Sequence, residues 1–339
     1  MNKKYVDTSF SILQWFVFLL ANAIALPIII GGIFHLSIED ISTLMQRTFL
    51  VVGVSSFIQA WFGHRYPIAD GPAGSWVSIF VILGQVAMHQ GQSAKDVLQL
   101  LEGGLIIAGI LLFVLGITGL VHRILRLFTP LVTGTFLLIL SLQLSGVLLK
   151  GMMGLQGAVT HPDYTTAAIS AVKQVAPLSK ENEKQTLNRS VWAGGISHII
   201  SSLFSTIGIV PLPASAGFIQ LTGQRKVKSF LIASLILAGI SFIPSIVSFI
   251  SLLPGPIANA ALLATFVQVI GISFQSILRE ELNQRRLTIL GISLLISLGI
   301  MFLPESAFSG IPSSLQYVLS NGLLVGTMLV ILLEQFWKE

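Results

Sequence analysis

Cysteine is missing altogether from the 339 residues, which excludes disulfides, thiolate metal sites and cysteine nucleophiles. Charge is scarce. Asp, Glu, Lys and Arg make up 10% of the chain, against roughly 25% in a soluble domain whose surface must face water. Phosphate-binding glycine loops, a His-Glu-x-x-His zinc pattern and a Gly-x-Ser-x-Gly elbow are all absent. His64, His122 and His198 have no carboxylate or second histidine at metal-ligand spacing on the same helix face. These absences point away from an enzyme and imply no cofactor and no metal.

What the chain has in abundance is apolar length. Hydrophobic residues reach 53% and the mean hydropathy is +0.87. Runs of about 20 apolar residues recur, each long enough to cross a ~30 Å hydrocarbon layer as a helix. The runs predict an all-α polytopic membrane protein, with spans near 11–33, 48–63, 72–88, 104–122, 130–149, 191–210, 214–223, 229–250, 257–276, 287–303 and 314–334. The first run, Phe10 to Phe34, is too long for a signal peptide. Net charge is +5. In a soluble chain that balance would suggest nucleic acid; here it reads as topology, because basic residues collect in cytoplasmic loops. Basic joints (Lys3-Lys4, His64-Arg65, Arg123 with Arg126, Lys180 to Arg189, Arg225 to Lys228, Arg279 to Arg286) alternate with nearly neutral ones. The alternation puts both termini on the cytoplasmic side of the cell membrane. It also demands a further crossing within 151–172, despite His161, Pro162 and Asp163, giving about 12 passages.

Two spans open unusually: Pro67-Ile-Ala-Asp-Gly-Pro-Ala-Gly-Ser-Trp76 and Pro211-Leu-Pro-Ala-Ser-Ala-Gly217. Pro suits the first turn of a helix and Gly tolerates close approach. Each stretch therefore reads as a short extended piece leading into a half-helix. Irregular backbone at membrane depth survives only where protein or a wet cavity satisfies it. A pair of such interruptions in corresponding halves points to a midplane binding site in an inverted-repeat transporter; the bland alternative is a kinked helix or a surface loop.

Several motifs together resemble the nucleobase–ascorbate transporter family, the nucleobase–cation symporters that include xanthine, uric acid and uracil permeases. Leu13-Gln14 with Pro27 is similar to its first helix, with Trp15 where histidine is usual. Gly71-Pro-Ala-Gly-Ser-Trp76 resembles its third-helix opening, and Arg126-Leu-Phe-Thr-Pro-Leu-Val-Thr-Gly-Thr135 its fifth. Gly195-Ile-Ser-His-Ile-Ile-Ser-Ser-Leu-Phe204 is similar to the ninth helix, Ala214-Ser-Ala-Gly-Phe-Ile-Gln-Leu-Thr-Gly223 to the tenth, and Leu253-Pro-Gly-Pro-Ile257 to the joint before the twelfth.

The resemblance implies fourteen segments in two inverted halves, a core domain moving against a gate domain, and coupling to protons or sodium. Applied to this chain it divides 1–125 (core, first half), 126–150 (gate, first half, shortened), 151–250 (core, second half) and 251–339 (gate, second half). The chain departs from the family in being about 90 residues short. The shortage falls where Lys150-Gly-Met-Met-Gly runs almost directly into His161-Pro-Asp-Tyr164, so the sixth, seventh and early eighth segments are missing. Val159 stands where the family's eighth segment carries glutamate, and Ala214 and Ser215 where the tenth carries an acid or amide and Asn.

The resemblance implies a flat nucleobase ring held at the half-helix ends, whose amides and positive dipole can meet ring acceptors. Ala73, Gly74, Ala214, Ser215 and Gly217 are the candidate positions, with Thr222 as the signature threonine. Ser215 could equally cap its helix, and Thr222 could bond its own preceding turn. Two carboxylates at membrane depth are candidates for cation coupling: Asp70, alternatively snorkelled near His64-Arg65, and Asp163, alternatively exposed in an outer loop beside His161. His198, Asn22 and Gln143 are helix-packing groups by default, although Asn22 and Gln143 could line a cavity. Trp15 and Trp76 could stack on a ring or anchor at the interface. The expectation is a proton-coupled purine permease of the xanthine or uric acid type, embedded in lipid, with a homodimer as one assembly the resemblance allows. Two rivals stand beside it: a truncated, non-transporting relative, and an anion carrier of the same architecture.

Overall fold

A backbone amide in hydrocarbon finds its partner only in its own chain or a packed neighbour, so apolar runs close into helices. The computed structural model describes residues 3–34, 36–72, 94–152, 183–253, 255–308, 315 and 318–337. In chain order these form α1 (Lys3–Ile33), α2 (Ile38–Trp61), β1 (Asp70–Pro72), α3 (Ala94–Thr118), α4 (Val121–Leu125), α5 (Pro130–Met152), α6 (Glu183–Leu203) and β2 (Ile209–Pro211). There follow α7 (Ala214–Thr222), α8 (Val227–Ile240), α9 (Pro244–Ser251), α10 (Gly255–Ile277), α11 (Gln284–Met301), a 3-10 turn (Glu305–Phe308) and α12 (Gly322–Phe336). Among the described residues, Asp7–Gly31, Ile38–Trp61, Leu98–Thr118 and Gln284–Met301 are long and apolar enough to cross a bilayer.

Helix ends depart from the expected spans for local reasons. α2 begins ten residues before position 48, because Ser37 accepts the Asp40 amide at 3.1 Å as an N-cap and Glu39 and Asp40 occupy the first turn. Acidic side chains there are favoured by the helix dipole, which hydropathy does not register. The span expected at 191–210 is helical only to Leu203; Ser205 turns the chain at a φ of 46° and residues 209–211 become strand. The span expected at 229–250 is not one helix. α8 and α9 meet at 92° across residues 241–243, and Pro244 opens α9 where it cannot continue α8. The last helix, Gly322–Phe336, follows a turn at Ser320 and Asn321; Leu315, Val318 and Leu319, within the expected 314–334, are helical before it.

Helices pack where small residues let backbones approach. α3 lies on α6: a Cβ at Gly109 would stand 2.8 Å from the Gly195 carbonyl oxygen, and one at Gly116 would stand 2.4 Å from the Trp192 nitrogen. α2 lies on α8 in the same manner, with Gly53 facing the Ser234 carbonyl. α1 packs on α2 and α8, and α2 also touches α6. A second group comprises α5, α10, α11 and α12, with α5 against α10 its largest contact. The two groups meet mainly through α10 against α1 and α7. One apolar cluster, around Trp15, Phe49 and Phe230, fills the first group; another, around Leu131, Ile277 and Val330, fills the second. Between them Leu26, Leu44, Phe136, Val210 and Phe266 form a third.

Candidate functional site

The two Pro/Gly-rich interruptions meet. β1 and β2 pair antiparallel, with Asp70 opposite Pro211, Gly71 opposite Val210 and Pro72 opposite Ile209. All six residues are buried. Sequence explains the brevity of the pairing: Pro72 and Pro211 lack amide hydrogens, so a longer ladder cannot form. Gly71 leaves room for Leu212: a Cβ there would lie 2.5 Å from Leu212 Cδ1 and would displace that side chain.

Side chains continue the junction. The Ala69 amide donates to Ser215 Oγ at 3.0 Å, and the Leu212 amide donates to the Ala69 carbonyl at 2.8 Å. Ser215 thus ties the first half-helix of the second interruption to the lead-in of the first, and its hydroxyl does not cap α7; Pro213 holds that cap position without a side-chain bond. The amides of Ser215 and Ala216 donate to the carbonyls of Leu212 and Pro213. Ala214 is buried beside them and Gly217 is half-buried in the first turn. Thr222 lies at the far end of α7, where its hydroxyl donates to the Phe218 carbonyl at 2.7 Å, and Gly223 closes the helix at a φ of 69°. Ala73, Gly74, Trp76, His161 and Asp163 lie outside the described residues.

Asp70 is 1% exposed, so it does not snorkel toward Arg65. Its amide donates to Ser56 Oγ at 3.0 Å, fixing its backbone on α2. Among the described residues neither carboxyl oxygen has a hydrogen-bond partner. Trp15 is fully buried. It packs with its ring centroid 4.5 Å from Phe218 of α7 and 4.9 Å from Phe230 of α8, which rules out an interfacial anchor. His198 Nδ1 donates to the Gly194 carbonyl at 2.9 Å and Asn22 to the Phe18 carbonyl at 2.7 Å, each within its own helix. Gln143 is buried in α5. No group of three or more His, Cys, Asp or Glu able to hold a metal occurs among the described residues.

The residues that sequence reading passed over are Ser55, Ser56 and Gln59. They lie at i, i+1 and i+4 inside the apolar run of α2, so they fall on one helix face. Gln59 Nε2 donates to the Ser190 carbonyl of α6 at 2.9 Å. A polar stripe in a membrane span was the available signal. His64, in the turn after α2, is also fully buried. Its Nδ1 accepts the Tyr66 amide at 3.0 Å, and burial pushes its pKa down to about 3, so the ring is neutral at physiological pH.

The sequence is similar to known permeases over most of its length. It matches the model of a family described as Permease family over residues 7–168 and 163–306. It is 28% identical to YwdJ of Bacillus subtilis (strain 168), a protein provisionally named a purine permease, over 96% of each chain. It is 21% identical to the xanthine permease of the same organism, over 93% of this chain and 90% of that one. To the uric acid permease PucK, also of that organism, it is 20% identical over 96% and 94%. The alignment with YwdJ runs to 420 positions but engages 96% of these 339 residues, about 325, so about 95 positions face gaps in this chain. The two family matches meet at residues 163–168.

Proposed function

This chain belongs to the nucleobase–ascorbate transporter family of permeases, and on that premise we propose that it is a secondary transporter of nucleobases, purines such as xanthine or uric acid, driven by a coupled cation. The observation that carries the reading is the antiparallel meeting of β1 and β2, buried inside the helices, with α7 starting three residues past β2. Broken segments that cross at the heart of the bundle create backbone polarity where a carrier needs it. The ring would lie against the half-helix ends at Ala73, Gly74, Ala214 and Gly217. Ser215 braces that junction and Thr222 closes the far end of α7. Asp70 is the coupling group we favour, with Asp163 as the second. A bare carboxylate at membrane depth is costly, so its charge must be handled in any cycle that opens this region to either side.

Packing supports an inverted repeat of core and gate. If α2, β1 and α3 correspond to α6, β2–α7 and α8, then exchanging the halves turns the α2–α8 contact into α6–α3, and both contacts exist. Membership of the gate follows the second packing group, α5 with α10 to α12, so residues 126–150 and 251–339 form the gate and 1–125 with 151–250 the core. The crossing expected within 151–172 lies, beyond Met152, outside the described residues; with it the reading has about 12 passages and both termini on the cytoplasmic side of the cell membrane, and a homodimer is an assembly the resemblance allows.

Uptake of radiolabelled xanthine, uric acid, guanine and uracil into cells expressing the chain tests the proposal. Accumulation of a purine above an empty vector is expected, and no uptake of any of the four sinks it. The roughly 95 positions facing gaps favour one rival, a non-transporting relative. That rival predicts purine binding to the purified protein, or none, without uptake, and coding sequence for the lost helices in the neighbouring DNA.

A further inference from the structure

We propose that the seam between α2, the lead-in to β1 and α6 encloses a small cluster of ordered waters, and that these waters carry the coupling proton between Asp70 and the His64–Arg65 turn after α2. The inference rests on the coupling role given to Asp70 above. Its first support is a set of buried polar atoms without hydrogen-bond partners among the described residues: Ser55 Oγ, Gln59 Oε1, His64 Nε2, Ser190 Oγ and both Asp70 oxygens. Buried polar groups are nearly always paired, with protein or with water.

Connections already described hold these atoms in one neighbourhood. Ser55 and Gln59 stand one turn apart on α2, about 5–6 Å between Cβ atoms. Ser56, beside Ser55, holds the Asp70 amide. Gln59 Nε2 reaches the Ser190 carbonyl. The Arg65 amide donates to the Gln59 carbonyl at 3.3 Å, which folds the turn carrying His64 back onto Gln59. Gly63 leaves room for the Gln59 amide oxygen: a Cβ there would be 2.3 Å from Oε1 and 2.8 Å from the Gln59 carbonyl oxygen.

The chemistry of the set selects water. His64 Nδ1 is occupied as an acceptor, so Nε2 bears the hydrogen and is a donor. Gln59 Oε1 and a charged Asp70 are acceptors, and the serines are either. A bare cation would satisfy the acceptors and leave the His64 donor unmet, whereas water serves both kinds and needs two to four polar partners. His64 orients a water at the end of the chain and carries no proton itself. Other charged or titratable groups on the elements packed here are Arg65 and Tyr66 in the lead-in, Arg189 beside Ser190 and His198 further along α6. Glu183 and Lys184 open α6, and Asp7 stands near the start of α1. Glu39, Asp40 and Arg47 belong to the other end of α2, about 18 Å or more from Gln59 along the axis.

The test uses the purified full chain with Ser55→Ala and Ser190→Ala, singly and together. In a dry seam, deleting an orphan hydroxyl raises the Tm in detergent; in a hydrated seam it lowers the Tm by a few degrees, which is the expected result. In proteoliposomes, xanthine-driven proton uptake read with a pH dye should fall at least tenfold in the double variant while xanthine exchange stays at the wild-type rate. A raised Tm in both single variants overturns the waters, and unchanged proton uptake overturns the route. If wild type exchanges no purine, the function proposed above fails, and the sign of the Tm change still decides the waters.

Discussion

Polar groups gather in two places in this protein, and they are handled in opposite ways. At the β1–β2 junction the bonds are neutral, made by backbone amides, carbonyls and serine hydroxyls, and Asp70 is enclosed with no partner among the described residues. Where α11 and α12 meet, on the basic side, charge is paired with charge. Glu334 lies 3.4 Å from Arg285 and 3.6 Å from Arg286, Glu280 also contacts Arg286, and the arginine side chains are 17% and 18% exposed. Ser276 and Gln335 bond the carbonyls of Pro130 and Arg126 nearby, tying α5 to the same cluster. The difference follows from solvent access. In the α11–α12 cluster the arginines keep some access to water while Glu334 is 6% exposed and held between them, so each charge has a partner; at depth a lone charge is expensive.

The contrast has four measurable consequences. Asp70→Asn should cause the largest effect, reducing pH-driven purine accumulation at least tenfold with expression intact; accumulation at the wild-type level would remove Asp70 from coupling. Ser215→Ala should strip the Ala69 amide of its acceptor and cost about 1–3 kcal/mol, the range for an orphaned buried donor. Thermal unfolding in detergent reads it, and an unchanged Tm would mean that the junction does not depend on that bond. His64 supplies a pH signature. Its folded pKa, about 3, lies below the unfolded value of 6.5, so the unfolded chain binds the proton first. Stability should therefore be full above about pH 6.5 and decline as pH falls toward 3. His64→Gln should flatten that part of the profile, and an identical slope in the variant contradicts it. Glu334→Gln should be the mildest, about 1 kcal/mol and smaller at high salt, since its partners are part-exposed; salt-independent destabilisation would show that charge is not the reason.

Much of the fold was legible in the sequence, and the limits have physical causes. Pro67 to Trp76 and Pro211 to Gly217 announce interrupted segments because Pro and Gly have conformational meaning wherever they stand. Hydropathy could not place the start of α2, where charged residues are welcome, nor the 92° break before Pro244, because both sides of the break are equally apolar. Thr222 bonding its own preceding turn was one of two open readings, and that bond is present. The role of Ser215 was not among the readings, because its partner at Ala69 lies 146 residues away.

The sequence alone determined that this is a many-helix membrane protein of a permease family, since composition, run length and motif order are properties of the chain itself. Folding brought the rest together: β1 meets β2, Ser215 braces Ala69, and Gln59 of α2 reaches Ser190 of α6. Those facts depend on which distant segments share a neighbourhood, and short-range periodicity holds no record of that.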